Sequence, residues 1–193
     1  MEFQLTFPTE TRVGLEQEYD RAERILEYGS GGSTIYALEN GKTVIAAESD
    51  KNWIDRLVRY HESQAHSGIL IDCYCDIGPT IDWGQPENSA AAARFPFYPV
   101  NPWRKAQSNE VDVDLVLIDG RFRVACFVTS VAFARKPLRI LFDDYLDRPR
   151  YHIVEQISEP ADCYGRAALF EIFPDEIGKF NPLTFLDFFF DAH

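Results

Sequence analysis

The chain has 193 residues, 46% of them hydrophobic and 26% charged, an ordinary balance for a globular protein that excludes disordered and fibrous classes. Its formal net charge of -12 sets most of the surface against phosphate backbones and anionic membranes, so no duplex nucleic-acid partner and no membrane partner is expected. No apolar run reaches the ~18 residues that a spanning helix needs, and the opening MEFQLTFPTETR lacks the order of a secretory signal, so a cytoplasmic location is expected.

Residues 9–24 read as a polar helix, with Thr9 and Thr11 as candidate N-caps. The short apolar run Ile25–Tyr28 reads as a strand that ends in the glycine-rich turn Gly29-Ser30-Gly31-Gly32-Ser33-Thr34. A helix follows through Leu38, closed by Asn40-Gly41. Thr43–Glu48 is a β-branched strand ending in an acid. Ser49 or Asp50 caps a helix over 51–65, whose Trp53, Ile54, Leu57, Val58 and His61 share one face. Ile69–Cys75 and Val111–Ile118 read as strands ending at Asp76 and Asp119, and 121–134 as a helix. Leu138–Phe142 is a fifth strand ending at Asp143-Asp144. Strands alternating with helices imply right-handed crossovers and a parallel sheet covered on both faces.

After residue 150 the pattern changes. His152–Ile157 and Ala167–Phe173 read as two strands joined by a turn-rich segment, an antiparallel pair finishing the sheet. The apolar tail Phe185–Phe190 is expected to pack on the sheet, the alternative being contact with a partner chain. The expectation is therefore one α/β domain over 1–193, with a doubly wound, mostly parallel, Rossmann-like sheet. The stretch 77–110 interrupts the rhythm with five prolines and five large aromatics, and reads as an insertion in which Ala90–Ala93 forms one helical turn. Cys73, Cys75, Cys126 and Cys163 include no CxxC pair and read as free thiols. The first two lie on one face of a strand.

A glycine loop between a strand and a helix lets backbone approach a ligand closely and offers unpaired N–H groups at the helix start. Glu48, ending the next strand 21 residues beyond Glu27, stands where an acid accepts hydrogen bonds from a ribose diol. Together they point to a cofactor that carries a nucleoside. The dinucleotide fingerprint GxGxxG does not include an acid two residues before its first glycine. Here Glu27 occupies that place, and Ser33-Thr34 follow where further glycines would stand.

Glu27-Tyr28-Gly29-Ser30-Gly31-Gly32-Ser33-Thr34 resembles the first motif of class I S-adenosylmethionine-dependent methyltransferases. With Asp114–Arg121, it looks like a bacterial group of methyltransferase-like proteins without an assigned substrate. The resemblance spans roughly residues 22–175. It implies that Glu27, Gly29, Ser30, Gly31 and Ser33 hold the amino-acid end of S-adenosylmethionine. It further implies that Glu48, with Ser49 beside it, holds the ribose, and that Asp76 and Ile77 meet the adenine. Three features depart from the family pattern. Ser33 replaces a common third glycine, Arg135-Lys136-Pro137-Leu138 lacks the usual glycine pair, and no Asn-Pro-Pro-Tyr-like sequence follows the fourth strand. The last speaks against methylation of exocyclic amines on DNA.

Asp119 is the candidate base, should the acceptor need to lose a proton. With Asp143 and Asp144 it also makes a possible, though not favoured, divalent-cation site. Magnesium-dependent O-methyltransferases of this fold place ligands at comparable strand ends, and the favoured alternative is that the three acids order the local loops. Arg121 is a candidate for binding an anionic group of the acceptor, with pairing to local acids as the equal alternative. Phe97 and Trp103 of the insertion are candidates for an acceptor wall, or else pack against the sheet. His61, His66 and His152 are expected in surface or packing roles. The expected function is methyl transfer from S-adenosylmethionine to a small molecule. The alternatives are a non-catalytic cofactor-binding protein of the same fold or, less favoured, an NAD(P)-dependent oxidoreductase. Oligomeric state and pathway are not legible.

Overall fold

A computed structural model describes residues 3–175 and 180–192. The elements run α1 (Thr9–Arg21), β1 (Arg24–Tyr28), α2 (Gly32–Glu39), β2 (Thr43–Glu48), α3 (Lys51–Ser63), β3 (Ile69–Tyr74), α4 (Phe97–Ser108), β4 (Leu115–Ile118), α5 (Arg123–Phe133), β5 (Leu138–Phe142), β6 (Asp162–Tyr164) and β7 (Ala167–Ile172). One seven-stranded sheet has the order β3-β2-β1-β4-β5-β7-β6. Neighbouring strands from β3 through β5 pair in parallel. β7 runs antiparallel to both β5 and β6. The fold class is that expected from the alternation of elements.

The two-residue period of the strands divides the core between two faces. Leu26, Tyr28, Ile45, Ala47, Val116 and Ile118 face the side covered by α4 and α5. Ile25, Val44, Ala46, Leu115 and Leu117 face the side covered by α1, α2 and α3. Glu27 belongs by parity to the second face. The apolar tail forms 3-10 turns over Pro182–Phe189 that contact α5, and Phe185 is buried in the core.

Several local expectations are corrected. Helix α1 starts at Thr9 after Pro8, which acts as its N-cap. Neither threonine caps it, and Thr11 instead donates its hydroxyl to the Tyr164 carbonyl. β4 begins only at Leu115, because the Asp114 carboxylate accepts the Glu23 and Arg24 backbone N–H groups and so ends the approach to the strand. The strand expected over His152–Ile157 is a 3-10 segment, Pro149–Gln156. Proline sits at its first position, and the buried Tyr151 and Val154 are three residues apart, the repeat of a 3-10 turn.

The stretch 77–110 holds two 3-10 segments, Asp82–Gly84 and Ser89–Arg94, and then α4, the helix that crosses over from β3 to β4. Its prolines concealed the helix, yet their places are tolerable. Pro99 lies in the first turn, where no intrahelical N–H is needed. Pro102 withholds an N–H from the Tyr98 carbonyl, which lies 3.8 Å from the Cys75 thiol instead. Cys73, Cys75 and Cys126 are buried free thiols, and Cys163 is exposed.

Candidate functional site

The carboxyl ends of β1, β2 and β4 open on one cleft of about 610 Å³. β1 is central, with β2 on one side and β4 on the other, so the chain leaves its end at the topological switch point of the sheet. Gly29, Ser30, Gly31, Gly32 and Ser33 form the middle of the floor, Glu48 and Ser49 one side, and Asp119, Gly120 and Arg121 the other. Eight of the residues singled out from sequence meet there: Gly29, Ser30, Gly31, Ser33, Glu48, Ser49, Asp119 and Arg121.

The floor depends on glycine at one close crossing. Gly29 has φ +90°, and a Cβ there would lie 2.9 Å from the Gly120 backbone. A Cβ at Gly120 would come within 2.1 Å of the Tyr98 hydroxyl. The turns after β1 and β4 therefore touch through backbone alone, held by the Asp119 N–H donating to the Tyr28 carbonyl at 2.9 Å.

Glu27 stands behind this floor and does not line the cleft. It is fully buried, its Oε1 accepts the Tyr19 hydroxyl at 2.5 Å, and its other oxygen accepts the Thr34 hydroxyl. The Gly31 N–H in turn donates to Thr34 Oγ1 at 3.0 Å. Strand parity directs this carboxylate to α1 and α2, so it braces the loop from below. Burial pushes its carboxyl up from 4.5 to about 7, against the pull of the hydroxyl donors.

Glu48 is nearly buried and half committed. Its Oε1 accepts the Ser49 and Asp50 N–H groups at 2.7 and 3.0 Å. Among the described residues its Oε2 has only the long contacts from Ser30, at 3.3 and 3.4 Å. Burial raises its carboxyl above the usual range. Asp50, not Ser49, caps α3, accepting from the Asn52 and Trp53 N–H groups. The Ser49 hydroxyl donates to the Gly84 carbonyl at 2.8 Å, tying the segment after β3 to the end of β2.

Asp119 keeps 34% of its side-chain surface open, and Arg123 Nη2 lies 3.1 Å from its Oδ1. Desolvation raises its carboxyl above the ordinary value, while Arg123 opposes and Asp143 adds to the rise. The other two acids are engaged by guanidinium groups. Arg166 reaches both Asp143 oxygens at 2.9 and 2.6 Å, and Arg123, Arg148 and Arg166 surround Asp144 at 3.2, 2.9 and 3.0 Å. Among the described residues no cluster of three His, Cys, Asp or Glu is arranged for a metal. The donor set that the sequence offered for a divalent cation is an ion-pair network with three arginines.

Four candidates lie elsewhere. Asp76 is half-exposed and bound to Arg94 at 2.7 Å, its carboxyl lowered chiefly by the Gly78 N–H and then by Arg94. Ile77 is buried in the core. Trp103 is buried and stacks on Phe133 with ring centroids 5.8 Å apart. Phe97 lies on the surface under the Arg104 guanidinium. Trp103 belongs to the sheet-covering face of α4 and makes no wall of this cleft. His61, His66 and His152 also stay out of it. His61 and His66 pair with each other, and His152 contacts the Tyr145 carbonyl.

The cleft walls also use the N-terminal segment, which sequence reasoning missed, and other members of the aromatic stretch 77–110 than Phe97 and Trp103. Phe3, Gln4, Thr6 and Phe7 pass over the glycine loop, where a Cβ on Gly32 would lie 2.1 Å from the Gln4 carbonyl. Phe3 packs edge-on to Trp53, and the Trp53 Nε1–H donates to the Ser30 carbonyl at 2.7 Å. Trp83, Gly84 and Tyr98 complete the lining. Trp83 is 90% exposed and holds φ +62°, a conformation that bulky residues rarely adopt. The aromatic excess of 77–110 was the available signal for Trp83 and Tyr98. The N-terminal segment carries no periodic pattern.

No family model matches the chain, and no curated protein matches it. Among solved structures, a methyltransferase-like protein from Silicibacter pomeroyi shares 35% identity over 99% of both chains, with a TM-score of 0.90. A Geobacter sulfurreducens methyltransferase, 9% identical over 88% of this chain and 81% of its own, superposes with a TM-score of 0.56. A Salinibacter ruber RNA methyltransferase in complex with S-adenosyl-L-homocysteine is 12% identical over 91% and 98% of the two chains, with a TM-score of 0.51. The last two speak for the fold alone. With the Silicibacter relative matched end to end and the glycine-loop cleft at the switch point of the sheet, this chain belongs to the methyltransferase-like proteins of the class I, S-adenosylmethionine-dependent methyltransferase family.

Proposed function

We propose that the protein binds S-adenosylmethionine in this cleft and transfers its methyl group to a small-molecule acceptor. The observation that carries the proposal is the convergence, in one cavity, of the glycine floor, the half-committed Glu48 and the open carboxylate of Asp119. The residues present suit the cofactor. Glu48 Oε2 has acceptor capacity left for a ribose diol, and Gly31 leaves the floor clear, because a Cβ there would meet only the Trp53 ring, at 3.7 Å. The start of α2 presents backbone N–H groups to the amino-acid end. A volume of about 610 Å³ falls within the range of sites for small ligands.

The bound sulfonium supplies a methyl group that is already activated, so the work left to the protein is alignment and exclusion of water. The β2 side fixes the nucleoside, which leaves the reacting end toward the β4 side. Asp119 takes the proton that a hydroxyl or amine acceptor loses, a role supported by its raised carboxyl and its position in the cleft lining. Tyr98, Phe3 and Trp53 restrict water around the exchange. The small size of the acceptor is supported by the roof of residues 3–7 and by the acidic surface, which disfavours a polyanion.

Glu48→Ala tests the reading. Loss of a charged acceptor for the ribose should weaken S-adenosylhomocysteine binding by roughly tenfold to a hundredfold, the range for a hydrogen bond to a charged group. Calorimetric affinity within twofold or so of wild type, in a folded variant, would remove Glu48 from the site.

A further inference from the structure

Arg121 is the sole Lys or Arg among the described residues that line the cleft. Its main chain is pinned. The N–H donates to the Tyr98 hydroxyl at 3.3 Å, and the carbonyl accepts from the Cys126 thiol at 3.3 Å. Its side chain is not similarly occupied. Nε is buried and has no hydrogen-bond partner among the described residues. The nearby acids do not need it, because Arg123, Arg148 and Arg166 already hold Asp119, Asp143 and Asp144.

A buried guanidinium N–H without an acceptor is costly to leave unmade, and a planar fork of donors matches the oxygens of a carboxylate or phosphate. The group lies on the β4 side of the cleft with Asp119 and Gly120, across the glycine loop from Glu48. On the reading above, that is the reacting side. We infer that the methyl acceptor carries an anionic group, a carboxylate or a phosphate monoester, and that Arg121 binds it. The inference rests on the proposed cofactor assignment. It narrows the acceptor to a small anion and makes Arg121 a determinant of specificity. An otherwise acidic protein would select such a substrate through this one cation and reject neutral analogues that leave it unpaired.

The test uses the full chain, wild type and Arg121→Gln, saturated with S-adenosylhomocysteine. Calorimetry then follows benzoate, phenyl phosphate and neutral benzamide as probes. The expected result is that wild type binds one of the two anions and not benzamide, and that Arg121→Gln binds it roughly tenfold or more weakly. The variant should keep its S-adenosylhomocysteine affinity and its melting temperature, since no hydrogen bond or ion pair among the described residues uses the guanidinium. Whichever anion binds identifies carboxylate or phosphate as the group. Equal anion binding by both proteins, or none by wild type, overturns the inference. A variant that loses S-adenosylhomocysteine affinity also overturns it and assigns Arg121 to the carboxylate of the cofactor. If wild type binds no S-adenosylhomocysteine, the cofactor reading fails and takes the acceptor role with it. The anion arm would still report whether Arg121 holds an anion.

Discussion

Arg166→Ala is expected to lower the unfolding free energy by about 3 kcal/mol, the low end for breaking a buried ion pair from one side, because Asp143 is buried while the Arg166 side chain keeps 34% of its surface open. Asp143 is fully buried, and the Arg166 guanidinium meets both of its carboxylate oxygens. Arg123 reaches Asp143 only at its backbone carbonyl, so it cannot replace the lost partner without leaving Asp119 and Asp144. The cost would come from a buried charge left alone, and a second substitution exposes that cause. Asp143→Asn in the Arg166→Ala background should recover a large part of the loss, because the orphaned charge is gone. Urea denaturation of the three variants reads both effects. A loss below about 1 kcal/mol for Arg166→Ala would mean that the pair behaves as an exposed one.

A pH-dependent change in stability is expected from Glu27. Its carboxyl titrates near 4.5 in the unfolded chain and at about 7 in the folded one, raised by burial. Between those values the folded state holds more protons than the unfolded state, so stability falls as pH rises through that window and is level above it. The displacement corresponds to about 3 kcal/mol at 1.36 kcal/mol per pH unit. Glu27→Gln removes the titrating group while keeping a side chain that the Tyr19 and Thr34 hydroxyls can meet. The stability difference between variant and wild type should therefore grow in favour of the variant from below pH 4.5 to above pH 7. Parallel pH–stability curves for the two proteins would show that burial leaves the Glu27 carboxyl at its unfolded-chain value.

The sheet and the cleft floor were legible because their determinants are local. β-branched runs that stop at Glu48 or Asp119, and a glycine turn between a strand and a helix, state both the element and the end of the sheet where the ligand binds. Strand parity was also legible in principle, and it removes Glu27 from the cleft: the position faces α1 and α2, whatever its motif suggests. The rest depended on long-range packing. α4 is hidden by Pro99 and Pro102, whose missing N–H groups are harmless only where the structure places them. Asp76 lies two residues beyond the end of β3 and turns outward to Arg94, a residue 18 positions away. Phe3 and Phe7 carry no period at all. They reach the cleft because Gly32 has no side chain to hold the N-terminal segment away.

The most direct test of the central claim is a calorimetric titration of the wild-type chain with S-adenosylhomocysteine and, in parallel, with NAD. Saturable one-to-one binding of S-adenosylhomocysteine is expected, with no heat from NAD. Gly31→Val, which puts a branched side chain on the cleft floor against the Trp53 ring, should abolish that binding. Binding of NAD without S-adenosylhomocysteine, or unchanged S-adenosylhomocysteine binding by Gly31→Val, would contradict the assignment of this cleft.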